Sequence, residues 1–593
     1  MEQLLSSCKR LLLTHSGALI LAFGVGFICG VPQLLAEQAL DDEYRRVPFL
    51  YQDNEAVYLS RIHEFADGHS AVSSPFLHEY KNDSETLMPP IGEEAYWLAS
   101  RISRLDLTDI VVVSKFVLPA LLFLLIYALV ISVVPGARLA ALAAASVSVL
   151  GFELVNITDM WALLSQEYVG TYLSIWTRLV HPISGGLALF GFLVAFRRAL
   201  DRWLWAVLAA LLLALSTTYI FAFGIAVAVV GVVSAAALIT REWRVVWVAF
   251  GIGLGGAVIM APYLWAGFAS VGGGGTALAL KNGLFLTRVP LMSTVVMGAL
   301  VLGALTLLYE RLVLKQQLSV TRPSVFLFLL VLGTILAMNQ HVVTGRTVWP
   351  QHFVQYVFPI AYAAVIGWYA LHAARFSKYS SIPLIGVIVI SFALGISTIP
   401  TYRASLDQYR TENRYAPTLQ FLRENEGPCV ALSVERTELI NLFVTAFTKC
   451  DAYYTHYTFM GVPDDRVRHN FFVQLRVLGI TPDTVDAYFA EYPDLTWRVF
   501  FRSWSDYFQH ATDPWLMAIR DEEEIEAWTA RTEADVISEY KEFYKKDFRT
   551  ELLKYRIDYV LWDKSGEVAF DAAEYPFLAP AFEAQGIEVY RVR

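Results

Sequence analysis

The stretch that decides the fold is TDIVVVSKFVLPALLFLLIYALVISVV, residues 108–134, in which Asp109 and Lys115 are the only charged side chains. About 18 or more apolar residues suffice to cross the hydrocarbon core of a bilayer as an α-helix. Similar runs with few charges recur across residues 16–399, and from about residue 401 onward the composition is that of a soluble protein. The sequence therefore predicts a polytopic α-helical membrane protein with a polar C-terminal region.

The composition of the whole chain agrees with this prediction. Of its 593 residues, 56% are hydrophobic and only 17% are charged, whereas soluble domains carry about 25% charged residues. The formal net charge of −9 lacks the basic excess of a nucleic-acid-binding protein. We therefore expect membrane lipids as partners, and no nucleic acid.

The length rule predicts about eleven spans. They lie at residues 16–36, 108–134, 137–154, 182–197, 203–217, 219–239, 245–266, 291–309, 324–338, 353–372 and 383–399. We interpret Ser216-Thr217-Thr218 as a tight turn between the fifth and sixth spans; the alternative is one broken helix. Residues 1–400 would then form the transmembrane domain, with a large polar loop at 37–107.

Basic residues orient the predicted spans, because short cytoplasmic loops collect Lys and Arg. With a cytoplasmic N-terminus, the cytoplasmic connections contain Lys9, Arg10, Arg138, Arg197, Arg198, Arg202, Arg241, Arg244, Arg311, Lys315, Arg322, Arg375 and Lys378. The short connections on the other side contain only Arg178, Lys281, Arg288 and Arg346. An odd number of spans places residues 401–593 outside the cytoplasm. A cleaved signal peptide is the alternative for the first span, but its apolar run is longer than a typical signal sequence.

The polar loop at 37–107 is expected to lie outside and to carry chemistry, because long ordered loops are usually functional. Its apolar spacing predicts two amphipathic helices on the membrane surface, at 54–66 and 92–105. Its acidic residues are Asp41, Asp42, Glu43, Asp53 and Glu55. Carboxylates there would act as a general base or bind a divalent cation beside a phosphate. The alternative is a solvated acidic loop.

Cationic and hydrogen-bonding groups precede two of the later spans on the same predicted side. Arg178 and His181 precede the fourth span, and Arg346 and His352 precede the tenth. Such groups would bind an anionic headgroup or diphosphate; the alternative is interface anchoring beside Trp176 and Trp349. Lys115, inside the second span, needs a partner there. It would snorkel outward, pair with Glu153 or join the substrate-binding groups.

The C-terminal region, residues 401–593, alternates strand and helix patterns, which predicts a small α/β domain. Strands are expected near 429–433, 452–455, 557–562 and 587–592, with helical segments at 438–448 and 571–584. If the first two strands are parallel neighbours, Cys429 and Cys450 meet, and an oxidising exterior permits a disulfide. The alternative is two buried free thiols.

This layout resembles the GT-C superfamily of membrane glycosyltransferases. Its members share a cytoplasmic N-terminus, one span, an outside loop with two juxtamembrane helices and an acidic motif, and then many spans, often with an outside α/β domain. The segment Asp53-Asn54-Glu55-Ala56-Val57-Tyr58 looks like the Asp-Glu-x-x-Tyr motif of many bacterial members. Asn54 stands where the family has its catalytic Asp, which leaves Asp53 or Glu55 as the substitute.

The resemblance implies a plasma-membrane enzyme with a lipid-linked sugar donor, a polyprenyl-phosphate sugar. The acceptor would be an envelope glycan, lipid or protein at the outer face. An acidic residue would activate the acceptor hydroxyl, Arg and His groups would stabilise the departing phosphate, and the anomeric configuration would invert. Some members need no metal, which leaves a divalent cation open. The alternatives are a transporter or lipid flippase, with charged or broken helices at mid-membrane, and a non-catalytic GT-C-like protein.

Overall fold

The structure is a computed structural model. It describes residues 13–50, 54–69, 72, 74–81, 89–151, 174–272, 284–291, 293–373, 379–424, 427–435, 439–455, 462–493, 495–500, 522–566 and 568–593. The helices of the apolar part are α1 (Ser16–Leu40), α2 (Asn54–Asp67), α3 (Ile91–Ser103), α4 (Leu107–Val133), α5 (Arg138–Leu150), α6 (Ile183–Asp201), α7 (Trp205–Leu215), α8 (Ile220–Ile239), α9 (Trp243–Gly272), α10 (Thr294–Leu312), α11 (Pro323–Met338), α12 (His341–Thr344), α13 (Val354–His372) and α14 (Ser381–Ser397).

Nine helices in the described part of the chain are long and apolar enough to cross a membrane. The architecture is therefore that of a polytopic helical membrane protein, as the sequence predicts. Two shorter apolar helices, α5 and α7, coincide with the third and fifth predicted spans. A 3-10 turn at Ser216–Thr218 separates α7 from α8, so the helix is interrupted where the sequence indicates a turn.

The close approach of α1 to α4 shows how the helices of the bundle pack. A Cβ added at Gly30 would lie 2.4 Å from the ring of Phe116, and one at Gly26 would lie 2.4 Å from the carbonyl oxygen of the same residue. Small residues let membrane helices approach closely, and van der Waals packing then holds them together, because lipid supplies no hydrophobic force between helices. Glycine at these two positions therefore fixes the first span against the second.

The C-terminal region contains a five-stranded sheet in the order β4-β3-β5-β7-β6. The strands are β3 (Cys429–Val434), β4 (Cys450–Ala452), β5 (Tyr559–Asp563), β6 (Leu578–Ala584) and β7 (Ile587–Val592), preceded along the chain by the short antiparallel pair of β1 (Leu284–Phe285) and β2 (Thr347–Val348). The helices are α15 (Leu406–Arg414), α16 (Ala416–Arg423), α17 (Leu439–Phe447), α18 (Asp464–Val477), α19 (Val485–Glu491), α20 (Leu495–Phe500), α21 (Glu522–Tyr544) and α22 (Phe548–Leu552).

Strands β4, β3 and β5 run parallel, whereas β7 is antiparallel to both β5 and β6. Strand β6 corrects the helix expected at 571–584. Gln585 and Gly586, with φ of 52° and 79°, form the two-residue connection between β6 and β7. Positive φ at both positions matches the twist of a tight hairpin, so pairing with β7 prevails over the local helical pattern.

Cys429 lies opposite Cys450 in the register of β3 and β4. Their Cα atoms are 4.3 Å apart and a disulfide joins the two residues. The two strands are parallel neighbours, and this is the condition under which the sequence predicted that the two cysteines meet.

Helix α2 packs its apolar side on the C-terminal region, which corrects the expectation that this side of residues 54–66 faces the lipid. Leu59 and Ile62 belong to a buried cluster that includes Phe443 of α17. Ser60 Oγ lies 2.8 Å from Thr445 Oγ1. The apolar side of α2 is thus buried against protein. In α3, the second predicted helix, Leu98 and Ile102 remain exposed.

The first polar loop is also bonded to the edge of the sheet. The N–H of Ala452 donates to the carbonyl of Phe76 at 2.9 Å. Lys81 Nζ lies 2.7 Å from both Glu64 Oε1 and Asp451 Oδ1. Separating the members of a buried group of ion pairs is costly, because it leaves an unpaired charge in the interior. Lys81 therefore holds Glu64 and Asp451 close together. The loop and the sheet therefore hold α2 in a defined position over the helix bundle.

Candidate functional site

Polar and aromatic side chains from five chain segments converge where α2 meets the ends of α6, α8 and α13. We call this group the histidine cluster; it comprises Glu55, Tyr58, Arg61, Glu93, Arg178, His181, Tyr219 and His352. Its members come from α2, α3, the segment before α6, the residue before α8 and the segment before α13. Segments so distant in sequence meet only in the folded protein, and such convergence of polar groups is typical of a binding site.

Helix α2 contributes three residues at a spacing of three, Glu55, Tyr58 and Arg61, which places them near one face of the helix. Glu55 is fully buried, and its Oε1 accepts the backbone N–H of Leu179 at 2.7 Å. The carboxylate predicted from sequence is therefore fixed against the segment that carries Arg178 and His181.

That segment turns sharply at Val180, whose φ is 58°. A β-branched residue in the left-handed region is strained, and strain of this kind gathers at functional sites. Space for the turn comes from Gly92 of α3, where an added Cβ would lie 2.7 Å from Val180 Cγ1. The turn directs the buried His181 ring onto the ring of Tyr219, with centroids 4.5 Å apart, and against the edge of Tyr58 at 5.4 Å.

The second imidazole, His352, is connected to the first through Tyr219. Tyr219 Oη lies 2.8 Å from His352 Nδ1, and Trp349 stacks on the other side of the imidazole with centroids 5.7 Å apart. Burial, aided by the charge of Arg178, lowers the pKa of His352 to about 3. Burial likewise lowers the pKa of His181 to about 4. Both imidazoles are therefore neutral at physiological pH and act as hydrogen-bonding groups.

Arg178 and Arg61 are the two cations of the histidine cluster, and Arg61 is paired with Glu93. The Nε atom of Arg178 is buried and has no hydrogen-bond partner, and no ion pair of Arg178 occurs among the described residues. Its charge acts on Tyr58, His181 and His352, so the guanidinium lies near all three. A half-buried arginine with unsatisfied donors is costly unless a ligand completes its hydrogen bonds. The arrangement suits an anion with several oxygens.

A second carboxylate, Glu93, completes the group. Arg61 Nε lies 2.6 Å from Glu93 Oε1, and Glu93 is almost wholly buried. Burial alone would raise the pKa of Glu93, but Arg61 and His181 outweigh it and hold that pKa below the usual value. The carboxyl is therefore ionised, and its Oε2 atom is buried without a hydrogen-bond partner in the part of the chain that the structure describes.

Some residues predicted from sequence do not join the histidine cluster. Arg346 is exposed in a turn, where its carbonyl accepts hydrogen bonds from Gln340 and Thr344. Lys115 is buried and donates to Gln33 Oε1 at 3.0 Å and to the carbonyl of Phe49. It therefore connects α4 to α1 and the first loop, and its role in substrate binding stays a prediction. Asp53 and Glu153, the proposed partner of Lys115, lie outside the described residues.

Arg61, Glu93 and Tyr219 are members of the histidine cluster that the sequence analysis missed. The spacing of three from Glu55 through Tyr58 to Arg61 was the available signal for α2. For Glu93 and Tyr219 no signal exists in the local sequence, because their neighbours come from other segments.

Within the described ranges, no group of three or more His, Cys, Asp or Glu residues is placed to hold a metal ion.

No protein-family model matches the chain, and no curated protein is significantly similar to it in sequence.

Proposed function

We propose that this protein is a GT-C-like membrane glycosyltransferase. It would transfer a sugar from a polyprenyl-phosphate donor to an envelope glycan, lipid or protein acceptor. The observation that carries the proposal is the Arg178 guanidinium, which has no ion pair among the described residues. It lies beside two neutral imidazoles and in a segment bonded to the buried carboxylate of Glu55. A phosphodiester of a lipid-linked sugar supplies the oxygens that such a site lacks.

The topology that goes with this function has eleven spans. It counts the shorter helices α5 and α7 as spans together with the nine long ones. A cytoplasmic N-terminus, supported by the basic cytoplasmic connections, places the histidine cluster and residues 401–593 on the outer side of the plasma membrane. Polyprenyl-phosphate sugars bound in the membrane plane would reach the cluster from the lipid.

The proposed reaction is a single displacement. The acceptor oxygen attacks the anomeric carbon while the bond from that carbon to the phosphate oxygen breaks, so the configuration inverts. The acceptor proton passes to a carboxylate, Glu55 or Asp53, which acts as general base. The departing polyprenyl phosphate gains negative charge, and Arg178 stabilises that charge through charge-assisted hydrogen bonds.

The neutral histidines have a defined part in this scheme. An imidazole with a pKa of about 4 or about 3 adds no positive charge near neutral pH. Arg61 is paired with Glu93, so Arg178 would be the cation that meets the phosphate. His352 and His181 would orient the phosphate as hydrogen-bond donors. Their fixed orientation, through Tyr219 and Ser184, means that little reorganisation is needed during the reaction.

The test is sugar transfer by the full chain in lipid nanodiscs. The donors are polyprenyl-phosphate mannose, glucose, galactose and N-acetylglucosamine, and the readout is release of polyprenyl phosphate by mass spectrometry. We expect turnover with at least one donor, and a loss of about 100-fold or more in Glu55→Gln or Asp53→Asn. Arg178→Gln should lower kcat/KM strongly.

Arg346→Gln is the matched control, because Arg346 is an exposed arginine on a neighbouring connection. If it lowers kcat/KM as much as Arg178→Gln does, the assigned phosphate subsite is wrong. If wild type releases no polyprenyl phosphate from any donor, the transferase proposal fails, and a non-catalytic or transport role takes its place.

A further inference from the structure

A cavity lies away from the histidine cluster, at the carboxyl ends of strands β3 and β5. It has a volume of about 1090 Å³, just above the roughly 300–1,000 Å³ that small-molecule sites occupy. We call it the strand-end cleft. Its walls come from the start of the first polar loop, from α15 and from the ends of the two strands.

The order of the strands explains why a cleft forms at this position. From β3 the chain passes through α17 to β4 on one side, whereas β5, the neighbour on the other side, follows much later in the sequence. All three strands are parallel. The connections therefore diverge between β3 and β5 and leave a crevice beyond their carboxyl ends. In open α/β sheets, ligands bind in the crevice at such a point.

The walls of the cleft are held together by specific bonds. Asn413, at the end of α15, is fully buried, and its Oδ1 accepts the backbone N–H groups of Arg45 and Val47 at 2.9 and 3.3 Å. The next residue, Arg414, is hydrogen-bonded to Asp563, the last residue of β5, and to Ser565 just beyond it. These bonds join the first loop, α15 and the sheet, so the cleft is a formed site and not a gap between loose segments.

The lining of the strand-end cleft indicates the kind of ligand. It has three guanidinium and four carboxylate groups, so their charges nearly balance. Arg45 is exposed and its guanidinium has no hydrogen bond or ion pair among the described residues, while the Nε atom of Arg414 is buried without a partner. Amide and hydroxyl groups of Gln408, Thr411 and Ser565 lie between the charges.

A lining whose positive and negative charges nearly balance does not suit a polyanion, which requires an excess of cations. It does suit a neutral ligand with many hydroxyl groups, each of which both donates and accepts. The apolar part of the lining, which includes Tyr415 and Val568, offers surfaces for the C–H faces of a sugar ring. Charged side chains paired at the surface, such as Arg410 with Glu43, can exchange partners at small cost because exposed ion pairs are weak.

We propose that the strand-end cleft binds a neutral saccharide of one to a few rings. This site is separate from the histidine cluster, and saccharide binding there does not depend on whether the protein transfers sugars. The side chains that would hold the sugar are Arg45, which has no partner among the described residues, and Glu43, whose exposed ion pair with Arg410 is weak.

The test is saturation-transfer difference NMR on the full chain in nanodiscs. The probes are maltose, α-1,2-mannobiose and N,N′-diacetylchitobiose. We expect signals from at least one probe in wild type and at least about a five-fold loss in the double variant Arg45→Gln/Glu43→Gln. The guanidinium of Arg45 is bonded to no other described residue and Glu43 is exposed, so the fold should survive both changes. Arg531→Gln, an exposed arginine on α21 outside the cleft, is the matched control and should keep the wild-type signals.

A further variant separates this proposal from the transferase proposal. Arg178→Gln should strongly lower kcat/KM for the donor and leave the saccharide signals intact. The proposal is overturned if no probe gives a signal in wild type, or if the double variant keeps the full signal. Inositol hexaphosphate serves as a polyanion probe, and its binding in the absence of saccharide binding would also overturn the proposal.

Discussion

Tyr219 connects the two imidazoles of the histidine cluster: its Oη lies 2.8 Å from Nδ1 of His352, while its ring stacks on His181 with centroids 4.5 Å apart. The two histidines belong to segments more than 150 residues apart in sequence. One tyrosine thus holds the segments before α6 and α13 in a fixed relation. Any ligand contact made by both histidines depends on this phenol.

Replacing this tyrosine should separate its two roles. Tyr219→Phe keeps the stacked ring and removes the hydroxyl, so Nδ1 of the half-buried His352 loses its partner. Leaving a fully buried polar group unpaired costs about 1–3 kcal/mol, and we expect thermal unfolding in detergent micelles to shift downward by at most this amount. Donor turnover should also fall, because His352 is no longer oriented. Tyr263→Phe, at an exposed position on α9, is the control, and an equal shift there would contradict the assignment.

The lowered histidine pKa values predict the direction of the pH dependence of stability. In the unfolded chain a histidine gains its proton near pH 6.5, whereas in the fold His181 does so only at about 4 and His352 at about 3. Between these values the unfolded state binds more protons, so stability falls as the pH is lowered from about 6.5 to about 4. The slope reaches at most about 1.4 kcal/mol per pH unit for each histidine.

The double variant His181→Gln/His352→Gln should therefore have a shallower dependence than wild type in this window. Midpoints of thermal unfolding from pH 7.5 to 4 measure the difference. His63 and His469, whose pKa values burial also lowers to about 4, remain in both proteins and set the residual slope. Identical slopes for the two proteins would mean that the imidazoles of the cluster are solvated in the native state.

Much of the membrane part could be predicted because hydropathy and length are local properties. The spans and the break at Ser216–Thr218 follow from them. The placement of α2 could not be predicted in this way. An amphipathic helix can bury Leu59 and Ile62 against lipid or against protein, and its own sequence is the same in both cases. The hairpin at Gln585 and Gly586 was missed because the pattern of 571–584 also fits a helix, and pairing with β7 is a tertiary effect.

The candidate site was predictable only in part, for a similar reason. Arg178, His181 and His352 stood out because polar groups at span ends on the less basic side need an explanation. Arg346 met the same criterion yet lies exposed in a turn. The side chain that matters most to the geometry, Tyr219, has no unusual neighbours in sequence. Its importance comes from two partners that only the packing of α6, α8 and α13 brings near it.

The ion pair of Glu93 and Arg61 provides a prediction about stability. Arg61 is largely buried and Glu93 almost wholly so, and removal of one member of such a pair leaves a buried charge, at a cost of about 3–5 kcal/mol. Glu93→Gln alone should therefore destabilise the fold strongly. The double variant Glu93→Gln/Arg61→Gln should recover part of the loss, since no lone charge remains. Urea unfolding of wild type, both single variants and the double variant gives the coupling energy.

The comparable exposed pair of Lys564 and Glu583 is the control for this cycle. Surface pairs contribute about 0–1 kcal/mol, so Glu583→Gln should have little effect. If Glu93→Gln is equally mild, Glu93 is protonated or solvated in the native protein. It would then contribute no charge near His181, and the electrostatic description of the cluster would need revision.

The disulfide between Cys429 and Cys450 connects the fold to the proposed topology. The bond closes a loop with a sequence separation of 21, and closing a loop of that size stabilises a fold by about 3 kcal/mol. Disulfides persist in oxidising compartments and are rare in the cytosol. The bond should therefore form in cells only if the C-terminal region lies outside the cytoplasm, as an odd number of spans from a cytoplasmic N-terminus requires.

Thiol trapping in intact cells measures this directly. The chain has four cysteines, so blocking free thiols in denaturant, then reducing and adding a polyethylene glycol maleimide, should shift the band by two labels. The variant Cys429→Ala/Cys450→Ala should show no shift and unfold at lower temperature, whereas Cys29→Ala, a buried free cysteine, should keep the two-label shift. Absence of the shift in wild type would place these thiols in a reducing compartment and so contradict the eleven-span orientation, because reversing the N-terminus or changing the span count by one moves residues 401–593 to the cytoplasmic side.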